Sequence, residues 1–165
     1  MKVQDRYTGL KRWLVLLFLW SMVFSACQSS TVIDVFEPVP PQGWAHDSLV
    51  SIDVHITEAN LQNTLWLNLR HTSEYEFANF HARLMHKSPS GHTDTIVVEV
   101  PLATVDGRWL GKGVGTLYSL QHMISTSFIF ADTGMYQFYI QQHMRDNPIE
   151  GIQDIGIRIA PTTNP

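Results

Sequence analysis

The sequence predicts an all-β protein, an antiparallel β-sandwich with a jelly roll as one form of it, preceded by a lipoprotein signal peptide. Three observations lead to this fold class. Apolar and polar residues alternate with period two in eight or nine short segments. Turn residues separate those segments at fairly regular spacing, and no long segment has the 3.6-residue period of an amphipathic helix. Strand order does not follow from the pattern.

The chain opens on a leader, residues 1–26, which carries its basic residues first and its apolar residues second. The apolar run, Trp13 to Phe24, contains no charged residue. Twelve helical residues rise about 18 Å, which is short of a hydrocarbon core about 30 Å thick. The run is therefore typical of a secretory signal peptide rather than of a membrane span.

The residue after the leader is Cys27, the single cysteine of the chain. It follows the small residues Ser25 and Ala26, and it cannot form an internal disulfide. The pattern favours a lipobox, with Phe24 at its first position, in which Cys27 is lipidated and becomes the first residue of the mature chain. Two or three acyl chains anchor durably where one binds reversibly. The alternative is a plain signal peptide with an incidental buried cysteine.

The charge of the chain changes when the leader is removed. Four of the 11 basic and one of the 15 acidic residues lie in the leader, so 7 basic and 14 acidic residues remain, a formal charge of −7. Nucleic acid and anionic lipid surfaces require a basic face, so this balance argues against both as partners. We expect residues 27–31 to be a lipidated tether, residues 32–160 one β-sandwich domain, and residues 161–165 a tail.

The first half of the domain predicts five strands. Residues 32–36 form an edge strand that ends before Pro38, which cannot donate to a β-ladder. Residues 48–57 alternate most cleanly, with valine and isoleucine at every even position from 50 to 56. Residues 65–70 and 93–100 repeat this alternation, and residues 77–86 repeat it with a less pure apolar face.

The second half begins with a glycine-rich segment and continues with four predicted strands. Four glycines fall within positions 107–115, a density that indicates positive φ angles or close backbone approach. Trp109 is placed to lie across this bare glycine surface. The strands follow at 117–119, 127–130, 135–144 and 152–159, and residues 119–125 are expected to form a loop or one helical turn.

Patterns that carry catalytic or metal chemistry are weak. The glycine-rich segment lacks the first glycine and the hydroxyl residue of a phosphate loop. His81 and His86 would point to opposite faces of a strand, and His92 lies beyond a turn, so these histidines indicate a surface rather than a metal site. Asp53 and Glu99 form a glycosidase pair only if the fold brings them together. We expect no enzyme activity, no metal and no cofactor.

Aromatic residues at polar or loop positions suggest a binding surface. Trp44, Trp66, Trp109 and Tyr139 have this placement. Such rings stack a sugar or cover the apolar patch of a partner protein, whereas core packing explains Trp66 and Tyr139 equally well. A carbohydrate-binding module is therefore the alternative to a protein-binding role.

Several blocks of the sequence resemble one known family. The run from Gln142 to Ile157 is the most specific block, and it includes Arg145, which is expected to cap carbonyls at a sheet edge. The other blocks are Asn68-Leu69-Arg70 with Tyr75 and Asn79-Phe80, then Gly107 to Gly113, then Gly134 to Phe138. Together with the leader they resemble the GldH gliding-motility lipoproteins of Bacteroidetes.

The resemblance implies a role rather than a reaction. The family is associated with the envelope apparatus for gliding and with the type IX secretion system, so other envelope proteins are the implied partners. Cys27 is the one position that corresponds to a functional residue, and Trp44, Trp109 and Arg145 are the candidates for a binding surface. Residues 28–31 lack the acidic cluster of a surface-export signal, which favours the periplasmic face of the inner or outer membrane.

Overall fold

The computed structural model describes residues 32–162, and within that range all regular secondary structure is β. Residues 1–31, which hold the leader, Cys27 and the predicted tether, and residues 163–165 of the predicted tail lie outside the described range, so the predictions made for them are not addressed by the fold. No helix long and apolar enough to cross a membrane occurs in the part of the chain that is described.

Nine strands form two antiparallel sheets. They are β1 (Ile33–Pro38), β2 (Val50–Ile56), β3 (Gln62–Thr72), β4 (Asn79–Lys87), β5 (Thr93–Pro101), β6 (Lys112–Val114), β7 (Leu117–Ile129), β8 (Gly134–Gln142) and β9 (Ile152–Pro161). The five-stranded sheet has the order β1-β9-β3-β7-β6, and the four-stranded sheet has the order β2-β8-β4-β5. The predicted β-sandwich is therefore confirmed.

The strand pairing is that of a jelly roll. The first strand pairs with the last, β2 with β8, β3 with β7, and β4 with β5. These four nested pairs form one long antiparallel ribbon that folds over on itself. The pairs β3·β9 and β4·β8 then join neighbouring strands of the folded ribbon into the two sheets. The short strand β6 adds an edge to this arrangement.

The core lies between the two sheets and is filled by alternate residues of each strand. Along β2 the valines and isoleucines at even positions are buried and the residues between them are exposed, as the alternation predicts. Leu65, Leu67 and Leu69 of the central strand β3 have no exposed surface. Phe80, Leu84 and other inward residues of the second sheet meet them across the sandwich.

Strand direction divides the connections between two ends of the sandwich. The near end carries the start of β1, the end of β9 and three short connections: 57–61, 88–92 and 130–133. The far end carries longer connections: 39–49, 73–78, 102–111 and 143–151, together with the tight turn at 115–116. Loop-borne chemistry is therefore concentrated at the far end.

Two expectations about the strands are wrong. Residues 119–125 form neither a loop nor a helical turn, because β7 runs unbroken from Leu117 to Ile129. The glycine-rich segment was also expected to contain no strand, but it includes the short strand β6. β6 is the edge strand and all of its residues are exposed, and it covers only the first three residues of β7, whose inward residues are half-buried. The apolar alternation is therefore faint in both strands.

Gly156 allows β1 to pack against the sheet. It is buried on β9 opposite Phe36, and a Cβ built on it would overlap the main-chain carbonyl of Val35. We predict that Gly156→Ala lowers the free energy of unfolding by about 3 kcal/mol, because backbone has to move to admit the methyl group. Chemical denaturation measures the change.

Gly91→Ala is the matched control, since nothing lies within 4 Å of a Cβ at that position. There the added methyl group lowers the free energy of unfolding by about 1 kcal/mol, because a residue with a side chain is strained at the φ of 88°. Equal losses in the two variants would show that the approach of β1 to Gly156 is not a tight constraint.

Candidate functional site

Main-chain hydrogen bonds join the connections of the far end to one another. The β1–β2 and β8–β9 connections are bridged by Trp44 N–H to Ile149 O at 2.8 Å and Ile149 N–H to Trp44 O at 3.1 Å. Thr72 N–H donates to Gly151 O at 2.7 Å, and Leu102 N–H donates to Ala78 O at 2.8 Å. The long connections thus form one continuous, cross-bonded surface rather than separate flexible loops.

The expectation that Trp44 is an exposed ring is wrong. Its side chain is 0% exposed, its ring stacks on Phe80 at 5.8 Å, and its Nε1–H donates to Ser48 O at 2.7 Å. The bridge to Ile149 draws this segment over the open end of the core, where the indole closes the gap between the sheets. Trp44 therefore positions the far end but offers no surface to a ligand.

Trp109 is half-buried within an aromatic cluster at the far end. Its ring lies 4.5 Å from His71, edge to face, and 5.8 Å from Tyr118. His71 in turn stacks on Tyr118 at 5.5 Å and lies 5.9 Å from Tyr75. The ring that lies across bare glycine is that of Tyr118, since a Cβ on Gly113 would come within 2.9 Å of its Cε1. The expectation that Trp109 makes this contact is wrong.

The glycine-rich segment combines both predicted uses of glycine. Gly107 and Gly115 have φ angles of 80° and 64°, in the left-handed region. Gly111 instead allows close approach, because a Cβ there would lie 2.9 Å from Ser119 O. This segment therefore lays β6 directly against β7 and turns Trp109 inward.

His71 is fully buried at the centre of the aromatic cluster. Its Nδ1–H donates to Thr72 O at 2.9 Å, and Nε2 has no hydrogen-bond partner among the described residues. Burial lowers the pKa of His71 from its ordinary value of 6.5, while the bond to the Thr72 carbonyl raises it by a smaller amount. The imidazole is thus neutral in the fold and acts as an aromatic packing element.

The turn after β5 presents an apolar side chain from a stiff frame. Thr104 Oγ1–H donates to Asp106 Oδ1 at 2.5 Å, and Arg108 Nε–H donates to Asp106 Oδ2 at 2.8 Å. These two bonds, from Thr104 first, lower the pKa of Asp106. Val105 lies at the tip with its side chain fully exposed.

A surface groove of about 480 Å³ lies beside the β8–β9 connection. Its lining residues are Phe77, Asn79, His81, His143, Met144, Arg145 and Asp146. Phe77 and Met144 pack against the core and form an apolar floor, and His81 N–H reaches Met144 Sδ at 3.2 Å. The rim carries the exposed guanidinium of Arg145. Such a groove suits a side chain with an apolar stem and an anionic or polar tip.

The other candidates are separated by the fold. Asp53 and Glu99 lie on β2 and β5, the opposite edges of a four-stranded sheet, and their registers differ by six residues. They are therefore separated by about 14 Å across the strands and by about 20 Å along them. This spacing exceeds that of a glycosidase pair, about 5 to 9.5 Å. His81 and His86 face opposite sides of β4, as predicted, but His86 points inward against Phe138, so the prediction that it lies at the surface is wrong. No group of three metal-ligating side chains occurs within residues 32–162.

Trp66 and Tyr139 lie on the outer faces of the two sheets, so the alternative that they fill the core is wrong. Trp66 is half-buried beneath the guanidinium of Arg158, 5.5 Å from its ring centroid.

The structure brings Trp44, Trp109 and Arg145 to the same end, but Arg145 is the one with an exposed side chain. His71 and the groove floor, Phe77 and Met144, were not anticipated, because local sequence shows no signal for a contact between distant loops.

The fold and its far end define a jelly-roll sandwich whose loops at one end are joined into a grooved, partly apolar surface. The chain belongs to the GldH lipoprotein family, whose model matches residues 31–159. It is 28% identical over 158 residues to the gliding motility lipoprotein GldH homolog of Christiangramia forsetii, covering 91% of this chain and 96% of that one. It is 27% identical over 151 residues to the gliding motility lipoprotein GldH of Flavobacterium johnsoniae, covering 87% and 93%.

Among solved structures, the VP2 subviral particle of infectious bursal disease virus matches with a TM-score of 0.35 and 15% identity, over 82% of this chain and 34% of that one. The family match agrees with the resemblance found in the sequence blocks. It makes the chain a lipoprotein of the cell envelope.

The burial of His71 predicts a pH-dependent stability. Because its pKa is lowered in the fold, the unfolded chain binds more protons below pH 6.5, and the free energy of unfolding falls as the pH drops from 7 to 5. We expect His71→Phe to reduce this fall, because phenylalanine keeps the ring and removes the titration. Urea denaturation at the two pH values measures it.

Leu67→Val provides the control, since it removes a buried methylene without changing any titrating group. It should be less stable at both pH values with an unchanged difference between them. If His71→Phe keeps the wild-type pH dependence, other groups such as His86 and His122, whose pKa values burial also lowers, account for the effect.

Proposed function

We propose that this protein is a lipid-anchored accessory or assembly subunit of the gliding-motility and type IX secretion apparatus, acting through protein contacts. The observation that carries the proposal is the cross-bonded far end, with its apolar-floored groove and the exposed Arg145. Family membership supports the gliding part of the role. A stiff surface of this kind binds with little loss of conformational entropy.

The attachment of the chain supports the same function. The anchor proposed at Cys27 joins β1 through residues 28–32, an extended reach of about 17 Å. Because β1 begins at the near end, the far end is held on the other side of a sandwich about 30 Å long. The far end is then the end of the sandwich that is farther along the chain from the point of attachment, and the proposed location is the periplasmic face of the inner or outer membrane.

Binding rather than catalysis fits the chemistry of the far end. The groove offers donors from Arg145, Asn79 and two histidines, but Asn79 Nδ2–H is already directed to Glu99 Oε1 at 2.8 Å. The separation of Asp53 from Glu99 removes the one hydrolytic pair that the sequence suggested. The carbohydrate-binding alternative loses its main support, because Trp44 is buried and Trp109 is packed against His71.

The anchor is tested by Cys27→Ser. We expect this variant to leave the membrane fraction and to appear in the soluble fraction of the envelope, since it has no thiol to acylate. Fractionation with an antibody to the folded domain measures this, and metabolic labelling with a fatty acid shows whether the acyl chain is lost. A variant that stays membrane-bound without label would show that another element holds the protein.

The groove is tested by Arg145→Glu in cells lacking the wild-type gene. We expect gliding and secretion to fall strongly at normal protein level, because the charge of the exposed rim is reversed where a partner has to approach. The matched control is Lys87→Glu, an exposed charge reversal that is near the other end of β4. Equal behaviour of both variants would place the partner surface elsewhere, and normal gliding in the full deletion would end the proposal.

A further inference from the structure

Strand β7 is much longer than the strand that covers its outer edge. It has 13 residues, and β6 pairs only with Leu117, Tyr118 and Ser119. On the inner side β7 pairs with β3 along nearly its whole length. Within residues 32–162 the outer edge of β7 therefore has no strand partner from Leu120 to Ile129.

The open edge presents main-chain hydrogen-bonding groups. In an antiparallel ladder alternate residues direct their N–H and C=O to opposite sides. Leu117 and Ser119 direct theirs toward β6, through the two-residue turn at 115–116, so Gln121 and Met123 direct theirs to the open side. Beyond Met123 a bulge changes this alternation. The chemistry that recognises such groups is another extended main chain.

This edge also lacks the usual protection against pairing. Residues 117–129 contain no proline and no lysine, arginine, aspartate or glutamate. The other long edge strands of the two sheets all carry such residues: Asp34 and Pro38 on β1, Asp53 on β2, and Asp94 and Pro101 on β5. Charged residues and proline are the common means of blocking the association of sheet edges. Because β7 lacks both, its open edge is free to pair with another strand.

The side chains along the edge are incompletely covered. Leu120 and Ile124 face the core side but are only half-buried, as is Ile96 on β5. On the outer face Met123 is 54% exposed. A strand added at this edge would place its own side chains beside both the core-facing and the outward-facing side chains of β7. Apolar residues at alternate positions of the added strand would cover Leu120 and Ile124.

We propose that the open edge of β7 binds an extended, uncharged segment of a partner protein, which adds a strand to the five-stranded sheet. The segment carries apolar residues at alternate positions, which pack beside Leu120 and Ile124. This inference rests on the proposed function, because it names the form in which a partner of the apparatus binds.

A partner protein fits this edge better than a second copy of the chain. Antiparallel pairing of β7 with itself would place the near end of one copy beside the far end of the other. The two tethers would then leave from opposite ends of the joined sheet, whereas both copies are attached to the same membrane.

Hydrogen exchange tests the proposal directly. The full lipoprotein is extracted from envelopes in mild detergent with its partners retained, and it is compared with the same protein purified alone. We expect the amides of Gln121 and Met123 to exchange slowly in the complex and fast in the isolated protein. The slowing is about 100-fold for a partner present at about 100 times its Kd.

Two variants test the same edge in cells. Gln121→Pro removes a main-chain donor that faces the open side, and Met123→Lys adds a charge there. Both should abolish the protection and reduce gliding while thermal unfolding shows a folded protein. The control is Val97→Lys on the edge strand β5, where the side chain is 59% exposed, and it should behave as wild type.

The outcomes distinguish a failure of the edge proposal from a failure of the proposed function. Equal exchange in the complex and the isolated protein, or wild-type gliding by both edge variants when the deletion strain is defective, overturns the edge proposal alone. A mass of two chains for the isolated protein, with protected amides, assigns the edge to a second copy and overturns the partner. Normal gliding in the deletion strain overturns the proposed function itself.

Discussion

The pairing of the first strand with the last, β1 with β9, is the contact on which the rest of the sandwich depends. It closes the ribbon that is formed by the nested pairs β1·β9, β2·β8, β3·β7 and β4·β5. It also sets the start of β1 and the end of β9 at the near end. Gly156 makes it possible by leaving room for the backbone of β1. The sheet order, the position of the core and the division between near and far ends all follow from this closure.

The two ends of the sandwich differ in how their connections are held. Near-end connections are short, whereas the far-end connections are longer and cross-bonded. Buried aromatic residues, Trp44 at one point and the cluster of His71 and Tyr118 at another, hold these long segments in place. A surface built from loops thereby gains the stiffness of the sheets below it.

Much of the fold could be predicted because its signal is local. The alternation of β2 marks a half-buried strand without any knowledge of its neighbours, and the same holds for most of the other strands. The central part of β7 gave no such signal, because its inward residues Leu120 and Ile124 are interrupted by His122 and lie at an exposed edge. The end of the strand, Ser127 and Phe128, was recognised.

The candidate site was harder to predict, because it depends on contacts between distant segments. Arg145 was expected to cap carbonyls at a sheet edge, but it is exposed beside the groove and makes no hydrogen bond to the described residues. Trp44 was expected at the surface and is buried, since its burial depends on Ile149 more than a hundred residues later. Membership of the GldH lipoprotein family followed from blocks of sequence, but which residues share the groove required the closed topology.

The position of β9 also determines the order in which the domain is completed during export. The last strand to emerge is the one that lies between β1 and β3, so the five-stranded sheet stays divided until the whole chain has crossed the membrane. Until then β1 has no partner in its sheet. The strands that wait for β9 are exposed during that interval, and they are the ones that a chaperone has to shield.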